Sequence, residues 1–439
     1  MRIVYLSASG SLGGAETALL NLLGGVRRVR PDYDLHVIAA ADGPLLSRLA
    51  TLGVGSTVLP FPSSLAAVGS SWSGGGFLWQ QGLDRVRLSA AIVGYVRQLF
   101  RLLRELQPNV VHSNGIKTHL LSTFATPRRM PLIWHIHDYV GSRAWTGRFL
   151  RACRCRPSAL VTNSYSVEED VRRVLPHSRT QTIYNSIDCA HFTPLGTKAD
   201  LDLLSGLQLA PPNTVRIGLV ATFAKWKGHQ VFLEALSRLN RSLPVRGYVV
   251  GAPIYQTRGS QHSVQELKAV SGRLGLGSRL GFTGFCEDTP AALRALDVVV
   301  HASTSPEPFG MVIAEAMACG RAVVACRAGG AKEVFTEEQD GLGHEAGDAG
   351  DLARQMERLV LDASLRRQLG ERGRASIQRK FPMVRLGQSV VKLYEELTDI
   401  QPRVPMELAP VSESGGAEPV PLLVRQASAT AGGGRPLWS

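Results

Sequence analysis

The chain lacks the long apolar segments of membrane and secreted proteins. No window of its 439 residues holds 18 consecutive apolar residues, so a transmembrane helix is not expected. The N-terminal sequence MRIVYLSAS passes directly into a strand pattern, without the basic region and apolar segment of a secretory signal. Its six cysteines are therefore predicted to be free thiols in a reducing compartment. These features predict a cytoplasmic protein.

Aromatic residues are also scarce, at 6%, and none interleave with a basic stripe as in proteins that bind single-stranded nucleic acid. The formal charge is nevertheless +13. An anionic small ligand, an anionic membrane surface, or both are the expected partners, and nucleic acid is not. Hydrophobic residues at 44% indicate a folded protein, whose length predicts two or three domains. Its oligomeric state stays open.

Short apolar runs alternate with amphipathic segments in both halves of the chain, which predicts parallel, doubly wound α/β sheets. Predicted strands cover 3–8, 35–41, 56–61, 110–115, 131–137, 159–164 and 180–186 in the first half, and 215–221, 246–252, 280–285, 297–303 and 322–330 in the second. A polar, proline-containing stretch divides the two series. We therefore predict a first domain over 1–190, a linker over 191–213 and a second domain over 214–381.

Three further segments stand outside this alternation. A helix over 383–400 follows Phe381-Pro382, and the Pro, Gly, Ser and Ala content of 401–439 predicts a disordered tail. A Gly/Ser-rich stretch at 63–82 predicts a long loop in the first domain.

The segment STSPEPFGMVIAEAMACG (303–320) carries the strongest chemical signal. Its two prolines stiffen a loop before a helix that is predicted to begin near Phe309 or Gly310. The unpaired N–H groups at the start of a helix favour a phosphate. Glu307 and Glu315 flank this position and could accept hydrogen bonds from sugar hydroxyls. Phosphate and sugar together predict a nucleotide sugar as ligand.

These motifs, in this order, resemble those of the GT-B glycosyltransferases of family 4, over about residues 1–400. The most specific match runs from Glu307 to Glu315 and continues to Gly329-Gly330. Supporting matches are Gly13-Gly14-Ala15-Glu16, His137-Asp138, Tyr184-Asn185-Ser186-Ile187-Asp188 and Lys227-Gly228-His229. The resemblance implies two Rossmann-like domains that face each other across a cleft, with the last helix crossing back to the first domain.

The resemblance also implies a retaining transferase that moves a sugar from a nucleotide donor, UDP- or GDP-linked, to an acceptor. Glu315 would bind the ribose hydroxyls and Glu307 would lie near the donor sugar. Backbone N–H groups would bind the diphosphate, those of Phe309, Gly310, Met311 and Val312. The second domain would hold the donor, and the first would hold a glycan, a lipid-linked or a small-molecule acceptor.

Lys227 and His137 complete the predicted catalytic set. Lys227 follows the first strand of the second domain and could stabilise the leaving diphosphate. The family commonly has an arginine a few residues earlier, where this chain has Ala221-Thr222; Arg327 and Lys332 are candidate substitutes. His137 ends a strand beside Asp138, and its analogue lies near the reacting sugar. His135 is the alternative, because alternate residues of a strand share a direction.

Several further residues at strand ends are candidate contacts. Gly14 opens a helix after the first strand and would let the donor approach its backbone. Acceptor or phosphate contacts are predicted at Gly13, Asn114, Asp138, Arg143 and Thr222.

No cofactor and no required metal is predicted. Two Asp-x-Asp sequences, Asp32 to Asp34 and Asp200 to Asp202, are spaced like the metal-binding pair of GT-A enzymes, but neither follows a hydrophobic strand that would present both acids to a diphosphate. Cys153 and Cys155 lack the second ligand pair of a zinc site.

A basic cluster follows His137 in the acceptor domain. It has no acidic residue and consists of Arg143, Arg148, Arg151, Arg154 and Arg156. The cluster is either a solvated face, or a surface for an anionic membrane or a lipid-diphosphate acceptor.

The sequence thus predicts a metal-independent glycosyltransferase of the cytoplasm, also at the inner face of the membrane, in surface-polysaccharide or glycoconjugate synthesis. Two alternatives stay open: a sugar phosphorylase or epimerase on the same fold, and a non-catalytic protein that binds nucleotide sugars.

Overall fold

The fold was taken from a computed structural model, which describes residues 1–67, 82–142, 144–253 and 260–399. Four predictions fall at least partly outside these residues: the contact at Arg143, most of the loop at 63–82, the last residue of the helix at 383–400 and the tail at 401–439.

The first seven strands form one parallel sheet in the order β3-β2-β1-β4-β5-β6-β7. Its strands are β1 (Arg2–Ser7), β2 (Asp34–Ala39), β3 (Gly55–Val58), β4 (Val110–Asn114), β5 (Leu132–Ile136), β6 (Ala159–Thr162) and β7 (Thr180–Thr182). Its helices are α1 (Gly14–Val29), α2 (Pro44–Thr51), α3 (Ser63–Ala67), α4 (Gly82–Leu106), α5 (Ile116–Ala125), α6 (Ala144–Ala152) and α7 (Tyr165–Val174). The inner strands β1, β4, β5 and β6 are buried almost throughout because helices cover both faces of the sheet, and their residues are mainly apolar.

The next six strands form a second parallel sheet in the order β10-β9-β8-β11-β12-β13. Its strands are β8 (Val215–Val220), β9 (Val245–Val250), β10 (Leu280–Gly284), β11 (Val298–His301), β12 (Ala322–Cys326) and β13 (Leu342–His344). The helices of this half are α8 (Leu201–Leu204), α9 (His229–Arg238), α10 (Val264–Arg273), α11 (Thr289–Arg294), α12 (Met311–Ala318), α13 (Ala331–Val334), α14 (Ala349–Leu361) and α15 (Ala363–Lys380). Two short 3₁₀ turns cover Lys225–Lys227 and Gly277–Arg279.

The last helix, α16 (Met383–Thr398), returns to the first sheet. Its apolar face, including Leu386, Val390 and Tyr394, belongs to the same buried cluster as α1 and the first strands. The two helices approach closely because both carry glycine where they cross: a Cβ added to Gly387 would lie 2.2 Å from the carbonyl oxygen of Gly25. The predicted crossing helix is therefore confirmed.

Both sheets reverse their strand order at one point, between β1 and β4 in the first and between β8 and β11 in the second. Ligands of doubly wound folds bind beyond the carboxyl ends of the strands at such points. The predicted site residues follow these four strands or their neighbours β5 and β12. None of the helices in the described ranges is long and apolar enough to cross a membrane.

Candidate active site

The start of α12 supplies two backbone N–H groups to the cleft. Gly310 precedes the helix in the left-handed region, with a φ of 90°, and a Cβ there would lie 2.8 Å from Cδ1 of Ile313. Glycine is therefore strongly favoured at this turn. The amides of Met311 and Val312 have no acceptor among the described residues. This helix end has the geometry and partial positive charge that favour an anion.

Glu307 lies in the loop before α12 and is held by three donors. Lys227 Nζ lies 2.6 Å from Oε1, whereas His301 Nε2 and Ser303 Oγ lie 2.5 and 2.8 Å from Oε2. Burial alone would raise the pKa of this carboxyl, but the charge of Lys227 and the contacts with His301 hold it well below its usual range. Glu307 is therefore ionised at neutral pH and fixed in position.

Glu315 has the opposite character. It lies on the second turn of α12, is half-buried, and makes no side-chain hydrogen bond to any described residue. Burial raises the pKa of Glu315 to about 7, although the charge of Lys227 opposes this shift. The carboxyl can thus accept hydrogen bonds from ligand hydroxyls once it loses its proton.

Lys227 reaches the loop between β11 and α12, where it pairs with Glu307. Its 3₁₀ turn follows β8, and its Nζ lies 4.1 Å from the centre of the Trp226 ring. The next residue, Gly228, packs so tightly that an added Cβ would lie 1.8 Å from the carbonyl oxygen of Ala302. This contact fixes the lysine turn against the loop that carries Glu307.

His137 and Asn114 form the opposite rim, at the ends of β5 and β4. His137 Nε2 lies 2.5 Å from Asn114 Oδ1, and Asn114 Nδ2 donates to the carbonyl of Ala15 at 3.2 Å. Burial lowers the pKa of His137 to about 4, so its imidazole is neutral at neutral pH. The start of α1 is thereby tied to His137.

His135 shares the direction of His137, with ring centres 4.1 Å apart, but it is buried in the domain. Its Nδ1 lies 3.1 Å from Nε2 of the buried His112. His135 is 2% exposed, so burial disfavours the alternative role at the cleft and favours His137.

The other predicted contacts occupy strand ends without a defined role. Gly13 precedes α1, and its backbone N–H donates to the carboxylate of Glu16 at 3.2 Å. No neighbouring atom lies within 4 Å of a Cβ added to Gly14. Asp138 and Thr222 are half-buried after β5 and β8. Phe309 is 2% exposed, so only its backbone is available to a ligand.

The candidate substitute for the absent arginine is engaged elsewhere. Arg327 contacts three carboxylates, those of Glu337, Glu345 and Asp351, at 3.6, 3.2 and 3.0 Å. Three carboxylates therefore surround Arg327, whereas Lys227 pairs with one, so Lys227 is the better placed cation for a phosphate. Lys332 is exposed on α13.

Both Asp-x-Asp sequences are likewise engaged within the fold. Asp202 is buried and takes hydrogen bonds from Arg246, Arg216 and Tyr248 at 2.6, 2.8 and 2.6 Å. Although burial opposes it, these partners lower the pKa of Asp202 to about 2. Asp32 pairs with Arg30 at 2.9 Å. Among the described residues no group of three His, Cys, Asp or Glu could hold a metal ion.

Sequence reasoning missed His301, Ser303 and Tyr139. His301 and Ser303 follow the apolar run of β11, and a polar pair there was the available signal. Tyr139 follows His137 by two residues, and its hydroxyl donates to the backbone oxygen of Glu307 at 3.3 Å. That contact joins the rims of the two domains.

Two family profiles match most of the chain. One, described as Glycosyltransferase Family 4, matches residues 12–191, and the other, described as Glycosyl transferases group 1, matches residues 208–376. They divide the chain between the two sheets.

Curated relatives and a solved structure agree with these profiles. The lipopolysaccharide core biosynthesis glycosyltransferase LpsE of Rhizobium meliloti is 34% identical over 36% of this chain and 43% of its own length. A D-inositol 3-phosphate glycosyltransferase of Corynebacterium jeikeium is 32% identical over 48% and 50%. The chain thus spans about half the length of the curated relatives it matches.

The fold has a counterpart over nearly its whole extent. The crystal structure of Anabaena Alr3699/HepE in complex with UDP and glucose superposes with a TM-score of 0.72, at 25% identity, over 90% of this chain and 99% of that one. Two doubly wound domains facing across a cleft constitute the GT-B fold. The chain belongs to the group 1, family 4 glycosyltransferases.

Proposed function

We propose that the protein is a retaining glycosyltransferase that moves a sugar from a nucleoside diphosphate sugar to an acceptor bound by the first domain. The observation that carries this proposal is the start of α12, where two amides that lack an acceptor among the described residues suit a diphosphate together with Lys227, and Glu315 suits the ribose. The complex of the similar Anabaena protein with UDP and glucose supports uracil as the base.

Lys227 and the α12 amides would stabilise the charge that grows on the leaving diphosphate as the anomeric C–O bond breaks. The new bond forms from the acceptor oxygen on the same face, and the departing phosphate oxygen takes the acceptor proton. Glu307 is engaged by three donors and therefore serves better as an electrostatic support for the donor sugar than as a nucleophile. His137, neutral at the facing rim, would orient the donor sugar by hydrogen bonding.

We propose that this reaction needs no metal or other cofactor, because Lys227 and the helix end supply fixed positive charge to the diphosphate. The carboxylates of both Asp-x-Asp sequences are engaged within the fold and are poorly placed to hold a metal on it.

A surface glycan or lipid-linked acceptor is the class we favour, with a role in polysaccharide or glycoconjugate synthesis. The name of the Rhizobium relative, a lipopolysaccharide core biosynthesis enzyme, supports this class. A cytoplasmic protein at the inner membrane face would have access to such acceptors.

An anionic phospholipid surface is the membrane partner we propose. Residues 82–156 hold thirteen Arg or Lys against three Asp or Glu. Helices α4, α5 and α6 pack against one face of the first sheet. Each exposes one phenylalanine, Phe100, Phe124 and Phe149 being 36%, 67% and 48% exposed. Basic residues and isolated aromatics on one helical layer suit a lipid headgroup region.

Only some arginines of the basic cluster around α6 are available to this proposed membrane surface. The helix ends at Ala152, so Arg154 lies beyond it. Arg151 donates to the carbonyl of Val174, and Arg156 donates to three carbonyls between Thr126 and Met130. These contacts make Arg156 structural, and the stronger basic surface lies on α4.

The test pairs two variants with a panel of nucleotide sugars. Glu315→Ala should weaken UDP binding, because the ribose loses its acceptor. Lys227→Ala should lower turnover by roughly a hundredfold, as the loss of one charge-stabilising donor does. Wild-type turnover in both variants would disprove the assignment. Phosphate-dependent cleavage of a disaccharide would indicate a phosphorylase, and nucleotide-sugar binding without transfer or slow hydrolysis would indicate a binding protein.

A further inference from the structure

A carboxylate of the second domain caps the N-terminus of a helix in the first domain. Glu333, on α13, accepts the backbone N–H of Tyr165 at 3.0 Å and that of Ser166 at 2.8 Å. These are the first two residues of the ten-residue helix α7. The third amide, of Val167, donates to Ser164 Oγ within the first domain at 3.1 Å. The first turn of α7 is therefore fully paired only when the two domains are in contact.

A phenol reinforces this contact. Tyr184, in the segment that leaves the first domain, donates its hydroxyl to Glu333 Oε2 at 2.7 Å. Burial and the adjacent Glu333 raise the pKa of Tyr184, so the phenol stays a donor. One carboxylate thus takes three donors, and the positive end of α7 favours its charge.

Tyr139 extends this interdomain contact from α7 to the loop that carries Glu307. Tyr139 Oη lies 2.8 Å from Ser166 Oγ and donates to the carbonyl oxygen of Glu307, which also accepts the N–H of Gly330 at 2.7 Å. A Cβ added to Gly330 would lie 2.0 Å from the carbonyl oxygen of Pro308 and 2.8 Å from Ser164 Oγ. The backbone that leads to α12 is therefore held between both domains.

We propose that Glu333 is a positioning residue. It joins α7 to the Glu307 loop and so fixes the position of the first domain, which would bind the acceptor, relative to the donor site of the second. We name Glu333 and its three donors the interdomain clasp. Glu333 is not among the residues proposed to contact the donor or the acceptor, and it acts through the relative placement of the two domains. The inference rests on the proposed transferase function, because small displacements of bound reactants cost large factors in rate.

Tyr165→Pro tests the clasp with little disturbance of the fold. Proline is well tolerated at the first position of a helix, and its lack of an N–H removes one donor to Glu333. Tyr165→Ala is the matched control, since it removes the same ring, which is 64% exposed, and keeps the N–H. Glu333→Gln weakens the clasp from the other side, and Glu169→Gln, an exposed acid on α7, is its charge control.

Turnover with donor and acceptor saturating, the dissociation constant of UDP, and the radius of gyration by small-angle scattering are measured for each variant. Tyr165→Pro and Glu333→Gln should lower kcat by about tenfold or more relative to their controls. Binding of UDP, which involves the second domain alone, should stay within about twofold. Both variants should also have a larger radius of gyration.

Equal kcat and equal dimensions in Tyr165→Pro and Tyr165→Ala would overturn the inference, even if Glu333→Gln fails to fold. A parallel loss of UDP binding in Tyr165→Pro would also overturn it, because the defect would then be one of folding. Should the wild-type protein transfer no sugar at all, the proposed function fails, while the scattering comparison still decides whether the clasp holds the domains together.

Discussion

At the scale of single residues, two glutamates eight positions apart differ in charge state because their neighbours differ. Glu307 has Lys227, His301 and Ser303 within hydrogen-bond distance, whereas Glu315 has no such partner among the described residues. Both carboxyls could be predicted from the sequence, since the helix start and its glycine are local features. The three donors around Glu307 could not be predicted, because they come from the end of β11 and the turn after β8, which only the folded sheet brings together.

The raised pKa of Glu315 predicts that UDP binding depends on pH. In the proposed donor site the ionised carboxylate would accept hydrogen bonds from the ribose hydroxyls, so the dissociation constant should rise by about tenfold as the pH falls from 8 to 6. Titration calorimetry of wild type and Glu315→Gln measures this, and the variant cancels the titration of the nucleotide itself. A wild-type profile that follows the variant at every pH would contradict the role of Glu315.

The same carboxyl affects the ligand-free protein in the opposite sense. Between its usual pKa of 4.5 and the folded value of about 7, the folded protein keeps a proton that the unfolded chain releases. Its contribution to the free energy of unfolding therefore falls as the pH rises through this interval.

At the scale of elements, strands that consist of a long apolar run could be predicted from the sequence, whereas short strands and helices without a periodic pattern could not. The strands of both sheets agree with the sequence patterns to within a few residues, because apolar runs of four or more residues mark buried parallel strands. The edge strand β13 was missed: it has three residues, Leu-Gly-His, and no period. The helix α13 was missed for a similar reason, although its Glu333 joins the domains.

The crossing of α1 and α16 should be sensitive to a single methyl group. Gly387→Ala places a Cβ against the carbonyl of Gly25, at 2.2 Å, which forces the helices apart. Overpacking of this kind costs about 1–3 kcal/mol, so thermal unfolding should shift down by a few degrees.

Gly272→Ala is the control, because no neighbouring atom lies within 4 Å of a Cβ added to this glycine of α10 and alanine favours the helix. Differential scanning calorimetry should place the control at or above wild type. An unchanged melting temperature in Gly387→Ala would mean that α16 can move away without loss.

At the scale of the whole molecule, charge and exposed aromatics are distributed unevenly. The thirteen basic and three acidic residues of 82–156 give +10 of the formal charge of +13, and eight of the thirteen basic residues lie on α4, α5 or α6. The groove between α4 and α5 shows both features, since Arg97, Arg101 and Arg104 line it with Phe100 and Phe124. The cluster around α6 could be predicted from the sequence, whereas the surface of α4 could not, because helical spacing spreads the arginines of α4 among apolar residues.

This surface predicts binding to vesicles that contain phosphatidylglycerol, and not to phosphatidylcholine alone. Replacing Arg97, Arg101 and Arg104 by glutamine should weaken vesicle flotation by at least about tenfold, since each basic residue near an anionic surface contributes about 1 kcal/mol. Added salt should reduce wild-type binding in the same direction. The matched control removes three exposed arginines of α15, Arg367, Arg372 and Arg379. Equal flotation of the two triple variants would show that net charge alone drives binding. A selective loss on α4 would show that this helical layer of the first domain lies against the membrane.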